Sequence, residues 1–186
     1  MRRIILARHG LPVWDYWTPI PGHGLGPWLA GERDAPIDTT RRPSPELERL
    51  AREAGRLIAS PLRRSVESAR LLYPTGEATI IADVQEVALP SDFGTGLRLP
   101  PNLWAGVARA AWWCGWSAGV ESFAAARRRA ARAADTLHEL AERYGSIIVI
   151  GHGFMNALLA TQLRRLGWAG PGFPSRRHWA FSVYSD

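Results

Sequence analysis

Apolar positions along the chain fall into short unbroken runs separated by longer helical stripes. Ile4-Ile5-Leu6-Ala7 is a run of the kind a buried strand carries, and it leads into Arg8-His9-Gly10. Leu57-Ile58-Ala59 and Thr79-Ile80-Ile81 predict a second and a third strand. Ile147-Ile148-Val149-Ile150 predicts another, leading into Gly151-His152-Gly153, and Trp179 to Tyr184 alternates as a final one. Helices lie between. Ser44-Pro45 opens one, with Ser as the cap and Pro at the first helical position. Leu47, Leu50, Ala51 and Ala54 follow at helical spacing until Gly55 stops it. Ser60-Pro61 opens the next, with Leu62, Val66, Ala69 and Leu72 or Tyr73 on one face. Pro100 to Trp116 reads as a tryptophan-rich helix. Glu121 to Tyr144 reads as a long one ended by Gly145, with Phe123, Ala126, Ala130, Leu137 and Leu140 near one face. Phe154 to Leu166 is the last helix. Strands alternating with helices predict an α/β three-layer sandwich, a mostly parallel central sheet flanked by helices.

One domain over 1–186 accommodates these elements, with two additions. Residues 11–43 form a long irregular excursion rich in Gly, Pro and Trp, too long for a plain connector. Residues 95–118 form the tryptophan-rich helical insertion. Within the excursion, Pro21-Gly22-His23-Gly24-Leu25-Gly26 resembles a phosphate-cradling loop. It follows no strand and opens no clear helix, so a mobile loop over a pocket is the better reading, with His23 at the surface.

Composition adds limits. At 46% hydrophobic and 22% charged the chain can bury a core. Its 23 basic and 17 acidic residues give a net charge of +6, which suits anionic ligands without selecting one. Cys114 is the only cysteine, so no disulfide framework forms within the chain. Only four apolar residues follow Met1-Arg2-Arg3 before charge returns, too few for a secretory signal. Leu103 to Val120 is interrupted by Arg109 and three glycines, whereas a membrane span wants about 20 clean apolar residues. The expectation is a cytoplasmic protein with no membrane partner.

Three stretches repeat one architecture, an apolar strand followed by polar residues and a turn or helix. They end in Arg8-His9-Gly10, in Ser60-Pro61-Leu62-Arg63-Arg64 and in Gly151-His152-Gly153. In an open parallel sheet the carboxyl ends of strands line one edge, and ligands bind there. Two histidines and two or three arginines would then converge on a phosphate pocket. Arginine offers forked donors that match phosphate oxygens, and a neutral imidazole can attack phosphorus and hold the phosphoryl group. With Ser60 as helix cap, Arg64 lies on the same side of the first turn and reaches back over the strand end, while Arg63 points about a quarter turn away. A helix N-terminus there also favours an anion.

These motifs, in this order and spacing, resemble the histidine phosphatase superfamily and its phosphoglycerate-mutase-like fold. Arg8-His9-Gly10 matches the opening motif. Ser60 to Ser65, with Glu67-Ser68-Ala69, matches the second arginine motif, and Gly151-His152-Gly153 matches the late histidine motif. The resemblance implies a hydrolase of phosphoric monoester bonds in which His9 becomes a phosphohistidine. Arg8, Arg64, His152 and Gly153 would bind the phosphate, with His152 also counted as catalytic. Glu86 stands where many members carry the glutamate that moves protons; Asp83 and Asp92 are its competitors. The mechanism implied needs no cofactor, and no Cys/His spacing suggests a metal site. One departure stands out. Many members continue the first motif with Glu-Thr and later an Asn at the phosphate, whereas this chain has Leu11-Pro12-Val13-Trp14-Asp15. Asp15 then faces an arginine, binds a cationic part of the substrate, or points away. Trp14 and Asp15 are accordingly candidate substrate contacts. The partner expected is a phosphorylated small molecule or phosphoprotein. A phosphomutase and a catalytically silent phospho-ligand binder rank below the phosphatase.

Nine tryptophans include Trp14, Trp17 and Trp28 near the first motif and Trp104, Trp112, Trp113 and Trp116 in the insertion. They serve core packing, an aromatic wall for an apolar or ring-bearing leaving group, or a homodimer surface. Arg127-Arg128-Arg129 and Arg132 read as a solvated helix face, since a nucleic-acid binder would add interleaved aromatics and a known module.

Overall fold

The expected alternation of strands and helices is present in the computed structural model, which describes residues 1–74 and 76–186. In chain order the elements are β1 (Arg3–Arg8), β2 (Ile20–Pro21), α1 (Leu25–Asp34), α2 (Pro45–Glu53), β3 (Arg56–Ala59), α3 (Arg63–Leu72) and β4 (Thr79–Ile80). They continue with β5 (Arg98–Leu99), α4 (Pro101–Trp113), α5 (Phe123–Tyr144), β6 (Ser146–Gly151), α6 (Gly153–Arg165) and β7 (Phe181–Ser185).

The main sheet has the order β4-β3-β6-β1-β7. Its first four members run parallel, and β7 lies antiparallel at the edge beside β1. β1, β3 and β6 read as unbroken apolar runs because helices cover both faces of the sheet. Successive side chains point to opposite faces. Ile4, Leu6, Ile58, Ile147 and Val149 meet the alanine stripe and Leu137 of α5 and Leu159 of α6. Ile5, Ala7, Leu57, Ala59, Ile148 and Ile150 meet Leu47 and Leu50 of α2 and Ala69 and Leu72 of α3. This is the three-layer α/β sandwich that the pattern predicts. Among the described residues no helix is long and apolar enough to cross a membrane.

Local chemistry sets the helix ends. Ser44 Oγ accepts from the Leu47 N–H at 3.2 Å, with Pro45 at the first position of α2. Ser122 caps α5 in the same way, and Gly145 closes it with φ at 75°, in the left-handed region. The start of α3 differs from the expectation. Ser60 is not its cap: the chain bends at Pro61 and Leu62, the cap position is Leu62 in extended backbone, and the helix opens at Arg63. Ser60 belongs to the sheet edge instead, its N–H donating to Ser65 Oγ at 3.0 Å.

The excursion is not irregular throughout. Its Gly22–Gly24 turn leads into α1, a helix whose sequence hides it, because Gly26, Pro27 and Gly31 are poor helix formers. Tertiary contacts stabilise it. Leu25 joins Trp104 and Ala108 of α4 in a third cluster, flanked by Trp28, Leu29, Leu89 and Phe93. The β2–β5 pair, Ile20 opposite Leu99, joins the same two segments. His23 is exposed, as expected. The excursion and the insertion thus brace one another. Trp104 and Trp112 are core residues, while Trp17 and Trp113 are exposed.

Candidate active site

The parallel run of β1, β3 and β6 puts their carboxyl ends on one edge of the sheet. The register aligns Arg8 with Gly151, so His9 and His152 leave neighbouring strands side by side. Their ring centroids are 5.0 Å apart, and both side chains are almost fully buried. His9 Nδ1 lies 2.7 Å from the Gly10 carbonyl oxygen. A carbonyl only accepts, so Nδ1 carries the proton and Nε2 keeps the lone pair. The Gly10 N–H donates to Ser68 Oγ at 2.8 Å, and Ser68 donates to the Arg64 carbonyl at 2.6 Å, which ties the first motif to α3. A side chain at Gly10 would meet Trp179, with its Cβ only 2.8 Å from Cζ2. His152 Nε2 lies 2.6 Å from Ser60 Oγ.

Electrostatics favours the neutral form of both rings. Burial holds His9 well below the ordinary imidazole value, and the neighbouring His152, Arg64 and Arg8 push the same way. Burial followed by Arg64 and Arg8 depresses His152 likewise. Arg8 and Arg64 line the same cleft as His9. Each has a buried Nε with no hydrogen-bond partner. A buried donor left unpaired costs about 1–3 kcal/mol, so an anion between the two arginines would relieve both. Gly153 heads α6 beside Arg8, whose Nε is 3.6 Å from where a Cβ would stand.

Glu86 also lines the cleft. Its oxygens accept from the Phe154 and Met155 amides at 3.1 and 3.0 Å, at the positive N-terminus of α6. Asp83 pairs instead with Arg132 at 3.3 Å, and Asp92 does not line the cleft. Asp15 points away, the third of its alternatives. Its Oδ1 accepts from the Trp17 and Thr18 amides at 2.8 and 3.0 Å. Hydrogen bonds to Thr18 and Trp17 hold its carboxyl below the usual value. Trp14 does not line the cleft; it packs against Gly31 at 6.3 Å from Trp28, and it is Trp28 that lines the wall.

Tyr16, Glu32, Arg109, Arg176 and His178 are polar cleft or near-cleft residues to which the sequence motifs give no role. Arg109 lies over the rings of Trp112 and Phe154, at 4.8 and 4.2 Å from their centroids. Its Nη2 donates to the Val87 carbonyl at 3.2 Å, and its Nη1 is buried and unpartnered. A lone charge inside the apolar stretch 103–120 was the available signal for it. The Arg176 carbonyl accepts from Arg8 Nη1. His178 stands 5.2 Å from the His9 ring and donates from Nδ1 to the His9 carbonyl at 3.2 Å. Burial, then Arg8, lowers it to about 4. The cleft holds about 600 Å³, the size of a small-molecule site. Among the described residues, no three His, Cys, Asp or Glu side chains are grouped so as to hold a metal ion.

The family model described as histidine phosphatase superfamily (branch 1) matches residues 4–177. No curated protein matches the chain. Among solved structures, mycobacterial glucosyl-3-phosphoglycerate phosphatase complexed with VO3 superposes with a TM-score of 0.60 at 21% identity, covering 100% of this chain and 93% of its own. A phosphoserine phosphatase mutant from Entamoeba histolytica in complex with phosphoserine gives 0.58 at 17% identity, covering 100% and 96%. Alpha-ribazole phosphatase from Shigella flexneri gives 0.56 at 21%, covering 97% and 89%. At these identities the likeness is one of fold.

Proposed function

The chain belongs to the histidine phosphatase superfamily, and from that membership and the cleft's geometry we propose that it hydrolyses phosphomonoesters through a phosphohistidine on His9. The carrying observation is the His9 ring itself. Its Nδ1–H is fixed on the Gly10 carbonyl, its Nε2 is free, and two arginines with unpartnered Nε donors share its cleft. In the first step Nε2 bonds to phosphorus as the ester oxygen leaves. Glu86 acts as the general acid that gives that oxygen its proton. Arg8, Arg64, His152 and the Gly153 end of α6 face the charge on the transferring group. In the second step Glu86 takes a proton from water, the water oxygen bonds to phosphorus, and the N–P bond breaks to release inorganic phosphate. Supporting the role of Glu86 is its place in the same cleft as His9.

The substrate is a phosphorylated small molecule or phosphoprotein. Trp28, Leu29, Val87 and Leu89 offer its leaving group an apolar wall. The exposed free thiol of Cys114 suits a reducing compartment such as the cytoplasm. Hydrolysis of an aryl phosphate in the presence of EDTA, by wild type and by His9→Ala, tests the reading. Turnover that disappears in the variant is expected. Equal turnover by the two proteins would refute it.

A further inference from the structure

Arg64 does not stand free in the cleft. Its side chain is 7% exposed, and its Nη1 donates to Glu32 Oε2 at 3.0 Å and to the Glu32 carbonyl at 3.4 Å. Glu32 lies in the last turn of α1, and its Oε1 accepts from the Tyr16 hydroxyl at 3.2 Å. The Tyr16 phenol is pushed up, first by burial and then by Glu32. Arg64 Nε, by contrast, is buried without a partner. A guanidinium is a rigid planar fork. Holding one terminal nitrogen on a carboxylate and a carbonyl fixes the plane, and leaves the opposite edge, Nε–H with Nη2, for an anion. Asp15 supplies no such anchor, because its carboxylate is spent on the Trp17 and Thr18 amides.

We infer that Glu32 is the positioning residue of the phosphate pocket. It holds Arg64 by Nη1 so that the Nε–Nη2 edge meets the phosphoryl group, and Tyr16 holds Glu32. The excursion thereby builds part of the pocket rather than only covering it. The inference rests on the phosphatase reading of the cleft. A carboxylate near a phosphate dianion also repels it, so orientation and repulsion oppose one another. Their signs separate them: loss of orientation weakens anion binding, and loss of repulsion strengthens it.

The test measures kcat/KM on an aryl phosphate and inhibition by orthovanadate for wild type, Glu32→Ala, Glu32→Gln, Arg64→Ala and the Glu32→Ala/Arg64→Ala double variant. Glu32→Ala should lower kcat/KM and weaken vanadate by about 10- to 100-fold, the scale of a misplaced binding group. Glu32→Gln keeps an oxygen for Nη1 and should recover most of that loss. In the Arg64→Ala background Glu32→Ala should have no further effect, because the coupled partner is gone. Tighter vanadate in Glu32→Ala overturns the inference. So does unchanged kcat/KM with only a lower Tm, or an additive double variant. If wild type turns over no substrate, the phosphatase reading fails on its own, and calorimetry with inorganic phosphate still reads the Glu32 effect. A wild type that also binds no phosphate overturns both.

Discussion

His9 and His152 are held well below the ordinary imidazole value of 6.5, so a fall in pH through that value protonates them in the unfolded chain and not in the fold. The sign follows from proton counting. Above about pH 6.5 both states are neutral and the groups leave stability unchanged; below it the unfolded state binds more protons, and stability falls as pH falls. A ring that stays neutral in the fold between pH 7.5 and 5.5 costs on the order of 1 kcal/mol of stability, and the pair roughly twice that. That is a large share of a typical 5–15 kcal/mol. His178, lowered to about 4, acts in the same direction, but it is only partly buried and its share is smaller. Urea unfolding at pH 7.5, 6.5 and 5.5, followed by tryptophan fluorescence in buffers free of phosphate, measures the loss. His9→Ala removes one of the two deeply buried rings. Its pH dependence should therefore be shallower than wild type by roughly 1 kcal/mol over the range. Carboxylates titrate in both proteins and cancel in the comparison. Equal pH dependence in wild type and variant would show that His9 takes up its proton in the fold, and the argument for a neutral nucleophile would fail.

Two further outcomes are expected. Glu86→Gln should cut kcat/KM, which reads phosphoryl transfer to His9 and not the later attack of water, by about 10²- to 10⁴-fold on an alkyl phosphate, whose leaving oxygen needs a proton, and much less on a nitrophenyl phosphate; equal losses of kcat/KM on the two substrates would remove Glu86 as the acid for the leaving oxygen. Trp112→Ala should cost about 3–5 kcal/mol of stability, because Trp112 is 1% exposed, meets Phe123 and Phe154 edge-on, and donates from Nε1 to the Glu121 carbonyl at 2.6 Å. Chemical denaturation reads that value, and a loss under about 1 kcal/mol would take the α4 contact out of the core.

What the sequence made legible was the part in which local pattern and tertiary structure agree. β1, β3 and β6 are unbroken apolar runs, and the residues that follow them, His9, Ser60 and His152, meet at one edge because parallel strands end together. Glu86 was legible only through the family resemblance, since nothing local says that a carboxylate at 86 will reach the amides of 154 and 155. α1 was hidden by its own Gly and Pro, and with it went Tyr16 and Glu32. Their contacts are set by how the excursion packs on α3 and α4, and no periodicity encodes that packing. Ser60 was misread as a cap because Ser-Pro is a good helix opening. In the fold its hydroxyl lies 2.6 Å from His152 instead.

The arginines of this pocket have two effects that reinforce one another. As donors they suit a phosphoryl group. As fixed charges beside buried rings they help to keep His9 and His152 unprotonated. An imidazole between two guanidiniums gains nothing from a proton and keeps its lone pair at neutral pH, where a solvent-exposed histidine would be partly charged. The same cations would repel one another in an empty pocket. Glu32 on Arg64, the Arg176 carbonyl on Arg8 and the Coulombic pull of Glu86 on Arg8 lessen that strain without occupying either Nε. The pocket is therefore assembled around a charge deficit that a phosphate would fill. The excursion at 11–43 takes part in that assembly through Glu32, whereas the Asp15 carboxylate is taken up by the Trp17 and Thr18 amides.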